Sequence, residues 1–251
     1  HLIHNELAFN WIKSHLALFR DHDFKIYISQ FMLEFNKDPR LKVGFVDPYI
    51  REIYPAIAKI FTDNRPMADS MIELDAFDES KVSVHYQPLL DHISPINQNS
   101  DAEDSSTASK STDTQASSDT NTRPLRILWA SRVSLQKRPD ILKNIAKQLN
   151  PREYSIDVYG RFQPPYNKRF FCGAPAIHYK GTYNGIESLD LSSYDLFLYT
   201  SQTDGLPNVL LEIASSGLPI VASNDGGVSD LINSDTGHLV EIDDIDGYVA
   251  A

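Results

Sequence analysis

Residues 195–227, DLFLYTSQTDGLPNVLLEIASSGLPIVASNDGG, carry the densest structural punctuation in this chain of 251 residues. Residues 195–199 make a short apolar run that gives way to polar ones, as a buried strand does at its end. Asp204-Gly205-Leu206-Pro207 is a turn signal, and Pro207 suits the first helical position, where a missing N–H costs nothing. Residues 208–216 predict a helix stopped by Gly217, residues 218–222 a second strand, and residues 224–227 a sharp turn. A strand–turn–helix–strand unit of this kind belongs in an open α/β sheet, where ligands gather at the carboxyl ends of strands.

The helix has two faces. Leu210, Ile213 and Ala214 fall on an apolar side, and Asn208, Glu212 and Ser215 share the polar one. The amide groups at its start, around Asn208 and Val209, attract a phosphate or a sugar hydroxyl. Asp204 before the helix and Glu212 on its second turn fit such a ligand site. They fit equally well as a solvated acidic helix start, since carboxylates near a helix N-terminus are favourable in any case.

Upstream, the same rhythm repeats. Strands are predicted at 126–130, 154–159, 177–180 and 237–240. Residues 139–149 predict a helix with Ile141, Leu142, Ile145 and Leu149 on its inner side. Alternation of this kind implies a parallel sheet covered on both faces, and right-handed crossovers make it doubly wound. The first 95 residues are harder to read. A helix is expected within 2–20, strands at 25–28, 43–46 and 81–86, and short helices around Pro55 between 49 and 61. We read this part as an incomplete N-terminal α/β domain. Between the halves, residues 96–123 are almost all Ser, Thr, Asp, Asn, Gln and Ala, too poor in apolar groups to offset their chain entropy. They read as a disordered tether or insertion, and residues 124–251 as a C-terminal domain.

The net charge of −11 argues against a nucleic-acid binder, which needs a basic face. Cys172 is the single cysteine, and the eight histidines show no metal-binding spacing, so neither a disulfide framework nor a metal site is expected. No apolar run approaches the ~20 residues of a membrane helix, and the composition suits a reducing cytoplasm.

The stretch DGLPNVLLEIASSGLPIVASNDGGVSDLI resembles the signature of the retaining glycosyltransferases of family 4 (glycosyl transferases group 1), enzymes with the GT-B fold. That signature is a Glu, seven residues and a second Glu, with Gly-x-Pro after the first and a Gly-Gly turn downstream. Here Asp204 stands at the first position and Glu212 at the second. A second block, ASRVSLQKRP at 130–139, is similar to the family's basic diphosphate-binding loop. The resemblance covers roughly residues 125–240. It implies a GT-B-like α/β fold of two Rossmann-like domains, the N-terminal one incomplete and the C-terminal one a doubly wound parallel sheet. The place of the family's Asn-Gly turn is taken by Tyr86-Gln87-Pro88-Leu89.

The resemblance implies residue roles. Arg132 and Lys137 would stabilise the departing diphosphate, Arg as a planar fork and Lys as a mobile point charge. Glu212 would hold the ribose, Asp204 the donor sugar. The backbone amides of Asn208 and Val209, with Gly205 and Pro207 shaping the turn, would complete the contacts. Ser131 and Thr203 are minor candidates, Arg138 is expected to be a solvated neighbour, and Gly226-Gly227 a turn that allows close approach. The family's catalytic His is not assigned among His4, His85 and His92. The implied co-substrate is a nucleotide-diphosphate sugar with no further cofactor. The acceptor would be a carbohydrate, a lipid-linked molecule or a small molecule, with peripheral membrane contact left open. A sugar phosphorylase-like GT-B enzyme and a non-catalytic nucleotide-sugar-binding or scaffolding domain are the alternatives.

Composition alone makes one expectation testable. Limited proteolysis should cut first within 97–122 and leave a stable fragment starting near Arg123. Mass spectrometry of the early fragments checks it, and first cuts elsewhere would refute it.

Overall fold

A computed structural model describes residues 11–21, 25–30, 53–73, 77–86, 88, 95–96, 123–202 and 204–251. The strand expected at 43–46, His4, His92, Thr203 and the segment 97–122 lie outside these residues. The described chain forms two parallel sheets. The first has the order β1-β2-β3, made of β1 (Ile26–Gln30), β2 (Ile57–Thr62) and β3 (Val82–Val84). Helix α1 (Leu16–Asp21) precedes it, and α2 (Arg65–Glu73) joins β2 to β3.

The second sheet has six strands: β4 (Leu125–Ala130), β5 (Tyr154–Tyr159), β6 (Ile177–Gly181), β7 (Leu196–Tyr199), β8 (Ile220–Ser223) and β9 (Gly237–Val240). Their order is β6-β5-β4-β7-β8-β9, and every pair is parallel. The chain steps outward from β4 in one direction, then returns to β4 and steps outward in the other. The strand order therefore reverses between β4 and β7, the position at which a doubly wound sheet opens a crevice.

Both faces of this sheet are covered. Along β4, Ile127 and Trp129 enter one apolar cluster with Ile141, Leu142 and Ile145 of α3 (Pro139–Gln148), while Leu128 and Ala130 enter another with Leu210 and Ile213 of α4 (Asn208–Ser216). Period-two alternation thus sends successive β4 side chains to opposite cores. A last helix, α5 (Ile245–Ala250), packs beside α3, with Tyr248 buried in the first cluster. The flanks of 97–122 both anchor on this domain. The Ile96 amide donates to the Ser216 carbonyl at 2.7 Å, and the Arg123 guanidinium grips Asp195 at 2.6 and 2.7 Å.

The strands at 154–159 and 237–240 and the helix at 208–216 fall where the sequence places them. Two elements of the N-terminal part differ. Of the helical reading of 49–61, residues 49–52 lie outside the described residues, Ile53 is helical and Tyr54–Ala56 forms a 3-10 turn, after which Ile57–Thr62 is the central strand of the first sheet. Ile57 and Ile60, three apart, mimic a helical face, but Pro55 ends the helical run and the β-branched residues then pair on both sides. Helix α2 has no counterpart in the sequence reading. A smaller correction concerns Pro207, which caps α4 in extended conformation (φ −71°, ψ 126°) instead of occupying its first turn.

Two leucines of the C-terminal domain separate core from surface. Leu142 is fully buried, whereas Leu135 is 66% exposed. Leu142→Ala should cost about 2–5 kcal/mol and Leu135→Ala less than about 0.5 kcal/mol. Urea denaturation of both variants measures the contrast.

Candidate functional site

The candidate residues come from two elements that meet at the reversal between β4 and β7. The first is the loop after β4, which carries Ser131, Arg132, Gln136 and Lys137. A hydrogen-bond chain fixes it. The Trp129 indole donates to the Thr200 hydroxyl at 3.1 Å, and that hydroxyl donates to the Lys137 carbonyl at 3.0 Å. The loop also lies tight against the end of β5. A Cβ on Gly160, which has φ 147°, would stand 1.7 Å from the Ser131 carbonyl oxygen, so only glycine allows this approach.

The second element is the turn between β7 and α4, with Asp204 in its middle. Asp204 is held by three neighbours. Gln136 donates to its Oδ1 at 2.6 Å, while the Lys137 ammonium and the Tyr199 hydroxyl both meet its Oδ2. The Lys137 and Asp204 side chains are only 10% and 13% exposed, so the ion pair is largely removed from water. Lys137 also lies over the Tyr199 ring, 5.7 Å from its centroid. Burial, and then the Asp204 charge, push the Tyr199 phenol well above its ordinary pKa, so it remains a donor to the carboxylate.

Arg132 and Glu212 belong to a different compartment. They line one pocket of about 490 Å³ together with Gly160, Arg161, Thr182, Tyr183, Gly185 and Ile186. The pocket therefore sits over the carboxyl ends of β4, β5 and β6, closed on one side by α4. Its walls offer two guanidinium groups, one carboxylate, a hydroxyl and an aromatic ring, with Ile186 as a buried apolar floor. Burial raises the Tyr183 pKa, and the nearby Glu212 charge raises it further. Two guanidinium groups beside one carboxylate leave this lining with a surplus of positive charge. Among the described residues no cluster of His, Cys, Asp and Glu has the arrangement of a metal site.

The sequence candidates thus divide into two groups. Arg132 and Glu212 share the pocket, while Lys137 and Asp204 form a buried pair beside it. Asn208 and Val209 open α4, and Gly205 and Pro207 form the turn between that pair and the helix. Gly226 and Gly227 stack directly on this turn. A Cβ on Gly226 (φ 57°) would meet the Asp204 carbonyl at 1.7 Å, and the Gly227 amide donates to the Gly205 carbonyl at 3.0 Å. Arg138 is not a solvated neighbour. It adopts φ 46° and bonds Asp140, Gln202 at 2.9 Å and Asp243 at 2.8 Å. Desolvation opposes its charge, but the Asp140 and Asp243 bonds outweigh that and raise its pKa. It closes the entrance to α3 and does not enter the pocket. His85 lies in the first domain against the Phe61 ring, 4.7 Å between centroids.

Sequence reasoning missed Tyr199, Gln136 and Tyr183. Tyr199 was hidden as the last residue of an apolar run, and Gln136 lies inside the basic block without a charge of its own. Tyr183 follows a strand end, which was the available signal.

Comparison with known proteins bears on the family and the fold. The family described as glycosyl transferases group 1 matches residues 124–251. A sulfoquinovosyl transferase of Arabidopsis thaliana is 33% identical over 132 residues, 51% of this chain and 25% of that protein. An O-antigen biosynthesis glycosyltransferase of Escherichia coli is 31% identical over 117 residues, 46% of this chain and 33% of its own length. The chain thus spans a quarter to a third of these curated relatives. Among solved structures, Anabaena HepE, determined in complex with UDP, superposes with a TM-score of 0.67 at 15% identity, covering 96% of this chain and 65% of that one. At that identity the likeness speaks for the fold, which is GT-B.

The buried ion pair generates a stability test. Lys137→Met strands the Asp204 charge and should cost about 3–5 kcal/mol, more than Arg132→Ala at the exposed position. Adding Asp204→Asn to Lys137→Met should recover much of the loss, because the charge left without its partner is then gone. Chemical denaturation of the three variants decides, and equal costs for Lys137→Met and Arg132→Ala would contradict the pairing.

Proposed function

The chain belongs to the glycosyl transferases group 1 family, and from that premise we propose that it transfers a sugar from a nucleotide-diphosphate sugar to an acceptor hydroxyl with retention of anomeric configuration. One observation carries the reading: a basic side chain from the loop after β4 and a carboxylate from α4 line the same pocket at the sheet's reversal point. Arg132 presents a planar fork to the diphosphate, and Glu212, an acceptor, takes the ribose hydroxyls. The first amides of α4, at Asn208 and Val209, add donors for the phosphate and sugar oxygens. Gly205 and Pro207 bring the chain to them. Lys137 supplies the second positive charge as the leaving group develops, with Asp204 aimed at the donor sugar.

In the proposed step the bond between the anomeric carbon and the diphosphate oxygen breaks. The acceptor oxygen forms its bond to that carbon on the same face, and its proton passes to the departing diphosphate. The Anabaena GT-B protein was solved with UDP and with UDP-glucose, so uridine nucleotides are the first ligands to try. The acceptor is a carbohydrate or lipid-linked hydroxyl, in keeping with an Escherichia coli relative named as a galactosyltransferase acting on alpha-D-GlcNAc-diphosphoundecaprenol. A second reading, a nucleotide-sugar-binding domain without transfer, is favoured by one fact. Both Asp204 oxygens already have protein donors, which leaves the carboxylate less available to a sugar.

Mutants of the full-length protein separate the two. Arg132→Ala should weaken UDP binding roughly tenfold to a hundredfold and leave uridine binding nearly unchanged, since a charge-assisted contact is lost. Glu212→Gln should weaken UDP and the full donor alike, because both carry the ribose. Asp204→Asn should lower turnover of the sugar donor while sparing UDP affinity. Titration calorimetry and donor-turnover assays measure these effects. Turnover that survives Asp204→Asn untouched would remove Asp204 from the chemistry, and the absence of any donor turnover in the wild type would favour the binding domain.

A further inference from the structure

The turn between β2 and α2 in the first domain, Thr62-Asp63-Asn64-Arg65, is polar in sequence yet buried in the fold. Thr62, Asp63 and Asn64 are 0%, 2% and 1% exposed. These groups are buried against the donor-side turn of the second domain. The Asp63 Oδ2 accepts from the Leu206 amide at 3.4 Å, and its Oδ1 accepts from Asn64 Nδ2 at 2.7 Å. Asn64 in turn caps α2, its Oδ1 accepting from the Met67 amide at 2.8 Å. In the opposite direction, the Arg65 amide at the start of α2 donates to Asp230 Oδ2 at 2.6 Å. Gly227 lies between the two contacts. A Cβ there would be 2.5 Å from the Asn64 Cβ, so glycine sets how closely the domains approach.

Each domain therefore offers one carboxylate to a backbone amide of the other. The two contacts flank Gly227, and one of them ends on Leu206, two residues after Asp204 and two before the start of α4. We propose that Asp63 is a positioning residue: through the Leu206 amide it holds the turn that carries Asp204 and leads into α4, so the first domain sets the donor-side geometry. This rests on the transfer reading for its effect on turnover, but the contact itself can be tested apart from it. Asp63 is nearly fully buried and lies outside the lining of the ligand pocket, so it acts through the turn and not by touching the sugar nucleotide.

The test is amide hydrogen exchange on the full-length protein, with donor turnover and UDP affinity measured in parallel. Asp63→Ala should speed exchange of the peptide covering 204–209 roughly tenfold or more, as loss of a carboxylate acceptor implies, and leave α3 unchanged. Donor kcat should fall by more than UDP affinity does, because Arg132, on the loop after β4, is not carried by the turn. Asp63→Asn, which keeps an acceptor oxygen, should restore most of the protection. If Asp63→Ala does not fold, Gly227→Ala replaces it. That change removes no polar group, and its added methyl drives Asn64 off the turn, so the same local rise in exchange is expected. Unchanged exchange at 204–209, or a rise spread evenly through α3 as well, would overturn the proposal. Should the wild type turn over no nucleotide sugar, the transfer reading fails, and the exchange result still decides the role of Asp63.

Discussion

The pairing of β4 with β7 is the constraint on which the site depends. It is short, Ile127 with Leu196 and Leu128 with Phe197, yet it is where the chain reverses its direction across the sheet. Crossovers from β4 to β5 and from β7 to β8 run to opposite sides, so the loops leaving β4 and β7 diverge and open a crevice. The contacts at this seam reinforce one another. Asp195 accepts from the Arg126 amide at 2.8 Å at one end, and Trp129 reaches Thr200 at the other. A slip of one residue would exchange the two cores, since Leu128 and Trp129 face opposite sides. Register, and with it the placement of Arg132 and Asp204, is fixed by packing on both faces.

The crevice then sorts its charges by exposure. Arg132 stays in water at the pocket rim, free of the desolvation cost that a buried cation bears, and is available to an incoming anion. Lys137 is stored against Asp204 and Tyr199, where a charge is tolerated only because it is paired. A diphosphate would meet the exposed guanidinium first and would compete with Asp204 for the ammonium afterwards. The Asp at position 204, one methylene shorter than Glu, fits this cramped arrangement: Gln136, Lys137 and Tyr199 all reach its carboxylate without a longer side chain.

The C-terminal domain was legible because its signals are local. Apolar runs bounded by Gly and polar residues gave the strands at 154–159 and 237–240, and Gly217 marked the end of α4. Of the candidate site, the sequence placed Asp204 in the turn before α4 and Glu212 on that helix, and that is where the structure has them. What the sequence concealed depends on burial that only tertiary structure reveals. The strand Ile57–Thr62 carries apolar residues at helical spacing, and neighbouring strands on both sides override that pattern. Arg138 looked solvated because its partners, Gln202 and Asp243, are 64 and 105 residues away. Asp63 and Asn64 lie in a stretch where the sequence reading placed neither β2 nor α2. Nothing local shows that another domain covers them.

The way the two domains meet has a further physical consequence. Both carboxylates that cross the boundary, Asp63 and Asp230, accept from backbone amides. A backbone amide has no rotamers to freeze and cannot lose its proton, so such a contact fixes direction more than it adds attraction. The amide at the start of α2 also carries the helix dipole, which favours the Asp230 charge. Gly227 adds the steric half of the fit, because any side chain there would hold the first domain off. Direction from the amides and distance from the glycine together specify one relative placement of the N-terminal turn and the turn bearing Asp204. A junction built from paired side chains would have allowed sliding, since long charged chains can follow one another across an ångström or more. This one ties the geometry of the second domain's turn to the backbone of the first.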